Sequence, residues 1–128
     1  MLKNIFYLFL FVLFINPLFS QINKGDKYYN KYQFIKAISY YKKATSAPTQ
    51  IKQQAYIKLD DSYKKINDYT NAELAYRNAL AADSKVPAEV HYNYAQVLKA
   101  NNKYPEAVEQ YNNYIKLSPN DANAKNAI

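Results

Sequence analysis

Ala72-Glu73-Leu74-Ala75-Tyr76-Arg77-Asn78-Ala79 is written for one face of a helix. Ala72, Tyr76 and Ala79 stand at i, i+4 and i+7, so two small side chains and an aromatic ring share a face that suits a close helical neighbour. Thirty-five residues earlier Ala37, Tyr41 and Ala44 repeat the arrangement, preceded by Tyr28 and Phe34. Thirty-five residues later come Ala107, Tyr111 and Tyr114, preceded by Leu98 and Tyr104. One unit is written three times.

Punctuation divides each unit into two helices. In the first, a helix is expected from about Ile22 to Asn30, a turn at Lys31-Tyr32-Gln33, and a second helix from about Phe34 to Ser46, closed by Pro48. The second pair is expected over about Ile51–Ile66 and Tyr69–Ala82, with Asn67-Asp68 between them, since asparagine tolerates the left-handed backbone of a tight helix exit. Asp83 to Pro87 breaks the chain before a third pair, about Ala88–Ala100 and Pro105–Leu117, and Ala122–Ile128 reads as the start of a further helix. No run alternates apolar and polar residues long enough to argue a strand.

Tyr56, Leu59 and Tyr63 recur on one face of the first helix of the middle pair, opposite Ala72, Tyr76 and Ala79. Fifteen tyrosines in 128 residues suit a thin two-layer array, because a tyrosine buries a ring while its hydroxyl still needs water or a partner. Such units cannot bury their apolar faces alone, so each stacks on the next.

The amino terminus is organised differently. Met1 and Lys3 form a short basic start, Ile5 to Ile15 is an unbroken apolar run, Asn16-Pro17 breaks it, and Leu18-Phe19-Ser20 leads to Gln21. That layout predicts a secretory signal over residues 1–20, cleaved after Ser20, with the repeats in 21–128. A membrane anchor is the other reading, but eleven residues fall short of the ~20 needed to span a bilayer. With no cysteine, neither disulfides nor thiolate metal sites are available. Without Lys3, 16 basic face 10 acidic side chains, a net charge of +6. The lysines are dispersed, with no run longer than Lys42-Lys43 or Lys64-Lys65, which fits solvated helix faces better than a nucleic-acid patch.

The repeated columns resemble the tetratricopeptide repeat, a helix-turn-helix unit of about 34 residues. Its small residue in the first helix is matched by Gly25 and Ala95, with Asp60 departing, and its aromatic further along by Tyr28 and Tyr63, with Leu98 in the third unit. Its alanine, aromatic, alanine series is matched in all three second helices, Tyr114 replacing the last alanine. The closing proline appears as Pro119 and, shifted by one, Pro48, while Ser84 stands in the middle unit. The resemblance implies an all-α fold: a right-handed superhelical solenoid of three repeats, over about 21–50, 51–85 and 86–119, with a partial capping helix at 120–128. The order Phe-Ser-Gln, Lys-Gly-Asp-Lys-Tyr-Tyr, Lys-Leu-Asp-Asp-Ser-Tyr and His-Tyr-Asn-Tyr-Ala-Gln-Val-Leu-Lys is also similar to the N-terminal repeat region of OmpA-family envelope proteins associated with type IX secretion and gliding.

From that resemblance the expected function is an exported, non-enzymatic interaction scaffold in the periplasm or at the outer membrane, with envelope proteins or peptides as partners. A structural spacer, self-associating through a C-terminal end carrying Tyr111 and Tyr114, is the alternative. First helices of such repeats line a concave groove, which implies a protein-binding surface of Tyr29, Lys58, Asp61, Lys64, Tyr92, Asn93, Gln96 and Lys99. Ile22, Asp26 and Glu89 stand where a clamp for a C-terminal carboxylate would need basic or amide groups, so that function is not expected. Nothing points to a cofactor, a metal, a small-molecule substrate or catalysis. His91 is the sole histidine and reads as a helix residue. Asp60 with Lys64, and Asp61 with Lys65, read as ordinary i, i+4 pairs.

Overall fold

A computed structural model describes residues 2–123, without the side chains of residues 2, 5, 6 and 8–16. Six helices follow one another: α1 (Leu2–Tyr29), α2 (Phe34–Ala44), α3 (Thr49–Lys65), α4 (Tyr69–Ala82), α5 (Ala88–Ala100) and α6 (Tyr104–Leu117). They pack as three antiparallel pairs, α1 on α2, α3 on α4 and α5 on α6, and neighbouring pairs meet through α2 on α3 and α4 on α5. No strand occurs among the described residues.

The alanine and tyrosine columns make each pair. Ala72, Tyr76 and Ala79 are 0%, 1% and 0% exposed, and Ala37, Tyr41 and Ala44 are buried in the same way. Alanine brings the two backbones close, and the tyrosine ring fills the space beside it. Gly25 is the extreme case: a Cβ there would lie 2.5 Å from Cδ1 and 2.9 Å from Cζ of Tyr41. Leu59, Tyr63, Tyr94 and Leu98 complete the core from the first helices.

The three turns inside the pairs are copies of one another. Tyr32, Asn67 and Asn102 take φ values of 59°, 59° and 61°. In each turn the next amide donates back across the helix end, Gln33 to Tyr28 at 3.0 Å, Asp68 to Tyr63 at 2.9 Å and Lys103 to Leu98 at 2.8 Å. A second bond runs from Tyr32, Asn67 and Asn102 to the carbonyls of Tyr29, Lys64 and Lys99. This double closure satisfies carbonyls that a helix end would leave bare. Asn67 and Asn102 adopt the left-handed backbone readily, whereas Tyr32 does so against its steric preference.

Two expectations at the chain ends need correction. The first helix does not start near Ile22; α1 runs from Leu2 through Pro17 to Tyr29. The helix is continuous through Pro17, although a proline removes one helical N–H and crowds one carbonyl, and beyond it Ile22 is 1% exposed in the core. At the other end Ala122 and Asn123 lie in a turn after α6, not in a helix, and residues 124–128 of the expected capping helix fall outside the described residues. Among the described residues no helix is long and apolar enough to cross a membrane.

Candidate functional site

Along the groove side of α1 and α3, a cavity of about 340 Å³ is lined by Asp26, Tyr29, Asn30, Tyr41, Lys58 and Asp61. Its centre is a three-residue cluster. The Tyr41 hydroxyl and the Lys58 ammonium both donate to Asp26 Oδ1, each at 2.7 Å. Lys58 also stands over the Tyr41 ring, 5.9 Å from its centroid. Burial and the acceptor Asp26 push the Tyr41 hydroxyl far above its ordinary pKa, so it stays a donor. Burial, with Asp61 and Asp60 nearby, also raises Tyr29.

The next pair repeats the same chemistry. Lys64 donates to Asp61 Oδ1 and to the Tyr76 hydroxyl, both at 3.4 Å, and lies 5.9 Å from the Tyr76 ring centroid. A carboxylate, an ammonium and a phenol therefore stand together twice along the groove. Lys64 and Gln96 line a further cavity of about 280 Å³ with Lys65, Tyr69, Val97 and Ala100.

Of the eight groove residues expected from sequence, Tyr29, Lys58 and Asp61 meet in one cavity, and Lys64 with Gln96 in the next. Asn93 is half-buried and Lys99 exposed on α5. Tyr92 is placed differently: its ring packs on α6, with centroids 5.6 Å from Tyr111 and 5.1 Å from Tyr114. Asn30 and Tyr41 line the cavity although sequence reasoning does not place them there, and Asp26 enters the sequence reading only as a departure from a carboxylate clamp. Asp26 lies one 35-residue period before Asp61, which is the signal that could have found it. The column of Tyr41 points to the core, but a core tyrosine in a two-layer array still carries a hydroxyl to the surface.

The carboxylate pairs also differ from their expected form. Lys64 pairs with Asp61, three residues away, and not with Asp60. Asp60 is 0% exposed and no hydrogen bond of good geometry reaches either of its oxygens. Burial pushes its carboxyl up to about 8, a rise that the nearby Tyr76 hydroxyl and Lys64 oppose and Asp61 reinforces. His91 is half-buried, its Nδ1 2.8 Å from Gln110 Oε1. Among the described residues no group of three His, Cys, Asp or Glu is placed to hold a metal.

The sequence of residues 88–121, which covers α5, α6 and the turn beyond, matches the tetratricopeptide repeat family. The match spans one of the three helix pairs. The fold of the whole described chain agrees. The first such domain of Spaghetti (RPAP3), bound to an HSP90 peptide, is similar with a TM-score of 0.79 at 22% identity, over 88% of this chain and 87% of that one. MamA gives 0.78 at 24% identity over 91% of this chain and 68% of that one. The second tetratricopeptide domain of human RPAP3, in complex with an HSP70 peptide, gives 0.75 at 17% identity over 85% and 89%. No curated protein sequence matches the chain. The six helices thus have the tetratricopeptide fold.

Proposed function

We propose that this chain is a non-enzymatic, exported interaction module of the cell envelope whose groove holds a polypeptide segment of another envelope protein. The observation that carries the reading is the row of paired donors and acceptors along α1 and α3, Asp26 with Tyr41 and Lys58, then Asp61 with Lys64 and Tyr76. Such a row hydrogen-bonds a backbone or polar side chains, and the tyrosine rings give apolar contact. Peptides occupy two of the similar structures, bound there to domains of the same fold. A basic clamp for an anionic chain end does not fit this groove, where Asp26 puts a carboxylate and Ile22 is buried in the core. Export rests on the basic start and apolar run before Ser20, and a place in a type IX secretion or gliding assembly rests on the order of motifs along the repeats.

The test is capture of a partner from envelope extract by the wild-type chain and by Lys64→Glu with Lys99→Glu, with helicity followed by circular dichroism. Binding is expected to fall at least tenfold at unchanged helicity, since two charges in the groove change sign. Undiminished binding would remove the groove assignment. The self-association alternative loses its main support, because Tyr111 and Tyr114 are buried beneath Tyr92, Tyr114 being 3% exposed. Tyr104, Val108 and Leu117 are the large hydrophobic residues that α6 still exposes.

A further inference from the structure

The charge of the chain is unevenly placed along the solenoid. Residues 21–48 hold six lysines and one acidic residue, Asp26, whereas residues 88–121 hold three lysines and four acidic residues. Asp26 is already engaged by Lys58 from the next unit. The lysines of the first unit other than Lys42 gather on its outer face. Along the end of α1 and into the turn beyond it, Lys24, Lys27, Tyr28 and Lys31 stand at i, i+3, i+4 and i+7, and at 100° per residue that face lies opposite the groove residues Asp26, Tyr29 and Asn30. On α2, Lys36, Tyr40 and Lys43 stand at i, i+4 and i+7.

The two faces are joined into one surface by aromatic contact. Tyr28 and Tyr40 stack with ring centroids 5.2 Å apart and planes 8° from parallel. Lys36 lies 5.5 Å from the Tyr28 centroid and Lys43 lies 5.0 Å from that of Tyr40. All five lysines are exposed, and none forms an ion pair among the described residues. Two stacked phenols ringed by unpaired ammonium groups, with no charge of opposite sign on the same face, are complementary to a dense anionic surface. One further feature of the same helix selects the kind of surface. α1 is continuous from this face back through Pro17 into the apolar run Ile5 to Ile15, so the lysines follow directly on a segment that favours lipid. Tyrosine and lysine next to an apolar segment are the residues that settle at a bilayer's headgroup level.

We infer that the outer face of the first unit, Lys24, Lys27, Lys31, Lys36 and Lys43 around the Tyr28–Tyr40 stack, docks on the anionic headgroups of a phospholipid bilayer. The groove, on the opposite side of α1, then faces away from the membrane. The face begins beyond Ser20, so it remains whether or not the leader is removed.

Vesicle co-sedimentation of the full chain tests this, with phosphatidylcholine alone and with about 30% phosphatidylglycerol, at about 0.1 M salt. Anionic vesicles should bind at least about tenfold more tightly, and each lysine removed should weaken binding by up to about fivefold. Changing the five lysines to Gln should abolish the preference, changing them to Arg should keep it, and changing Lys52, Lys85 and Lys116 to Gln should leave most of it. Circular dichroism checks that each variant is folded. Equal binding to neutral and anionic vesicles would overturn the proposal, because the apolar run alone would then account for it. So would a control variant as weak as the face variant, which would mean net charge without a docking face. Capture of soluble polyglutamate by the five lysines without binding to vesicles would overturn it in favour of an acidic protein.

Discussion

Asp60 carries the clearest residue-level consequence. It occupies the column of Gly25 and Ala95, where the first helix presses on the tyrosine of the second, and it is fully buried. A carboxyl there has lost its water without gaining a hydrogen bond of good geometry, which costs about 1–3 kcal/mol. Unfolded, it ionises near 3.8; folded, it keeps its proton up to about 8. The native state therefore binds the extra proton between these values, and stability falls as pH rises through that window. Asp60→Ala, which installs the residue that Ala95 shows to be compatible with full burial, should stabilise the chain at pH 8 by about 1–3 kcal/mol and by less at pH 5. Thermal melts of both proteins across this range check the point, and a difference independent of pH would refute the buried-carboxyl account. Sequence alone shows that Asp60 breaks the column. That the break leaves the carboxyl unpaired, and not tied to Lys64, depends on which way the lysine turns.

At the scale of the element, the three turns share one geometry but not one chemistry. The hydroxyls of Tyr69 and Tyr104 donate to Asn67 Oδ1 and Asn102 Oδ1, both at 3.1 Å. The first turn has Tyr32 and Phe34 in those places, its rings in an edge contact 6.2 Å apart. It combines a strained tyrosine with no such hydrogen bond. Tyr32→Asn with Phe34→Tyr should import the pattern of the other two turns and stabilise the chain by about 1 kcal/mol in urea titrations, chiefly by relieving the left-handed tyrosine. Destabilisation would show that the exposed Tyr32 ring contributes more than its backbone strain costs. The helix pairs themselves are legible in the sequence, because alanine and aromatic spacing fixes which face of each helix is buried. The start of α1 is not, since Pro17 is a strong local signal against a helix, yet α1 runs through it.

The solenoid as a whole holds together through its inter-unit contacts, and Glu73 is a polar link between the second and third units, beside the bond from Asn101 Nδ2 to the Tyr69 carbonyl at 3.1 Å. Its carboxylate accepts from Asn101 Nδ2 at 2.8 Å and from Lys103, in the turn between α5 and α6. Burial alone would raise its pKa, but the Lys103 and Asn101 hydrogen bonds, with Lys103 and Arg77 charges, bring it below the ordinary value. That stabilisation is present above about 4.5, the unfolded value, and is lost as pH falls through the lower folded one. Glu73→Gln should cost about 1 kcal/mol at pH 7. Hydrogen exchange should quicken in α5 and α6 before α1 to α4, as expected where units are coupled mainly to their neighbours. Uniform acceleration along the chain would show that Glu73 does not act as a joint.

Periodicity in the sequence determined the three helix pairs and the tyrosine core, because those follow from spacing within single helices. Only the tertiary structure decided the rest. The Asp26–Tyr41–Lys58 cluster draws on three helices, and Tyr28 meets Tyr40 across two. Lysines that look dispersed along the chain thus become one face in space, since the turn between α1 and α2 folds residues 24–31 and 36–43 onto the same side.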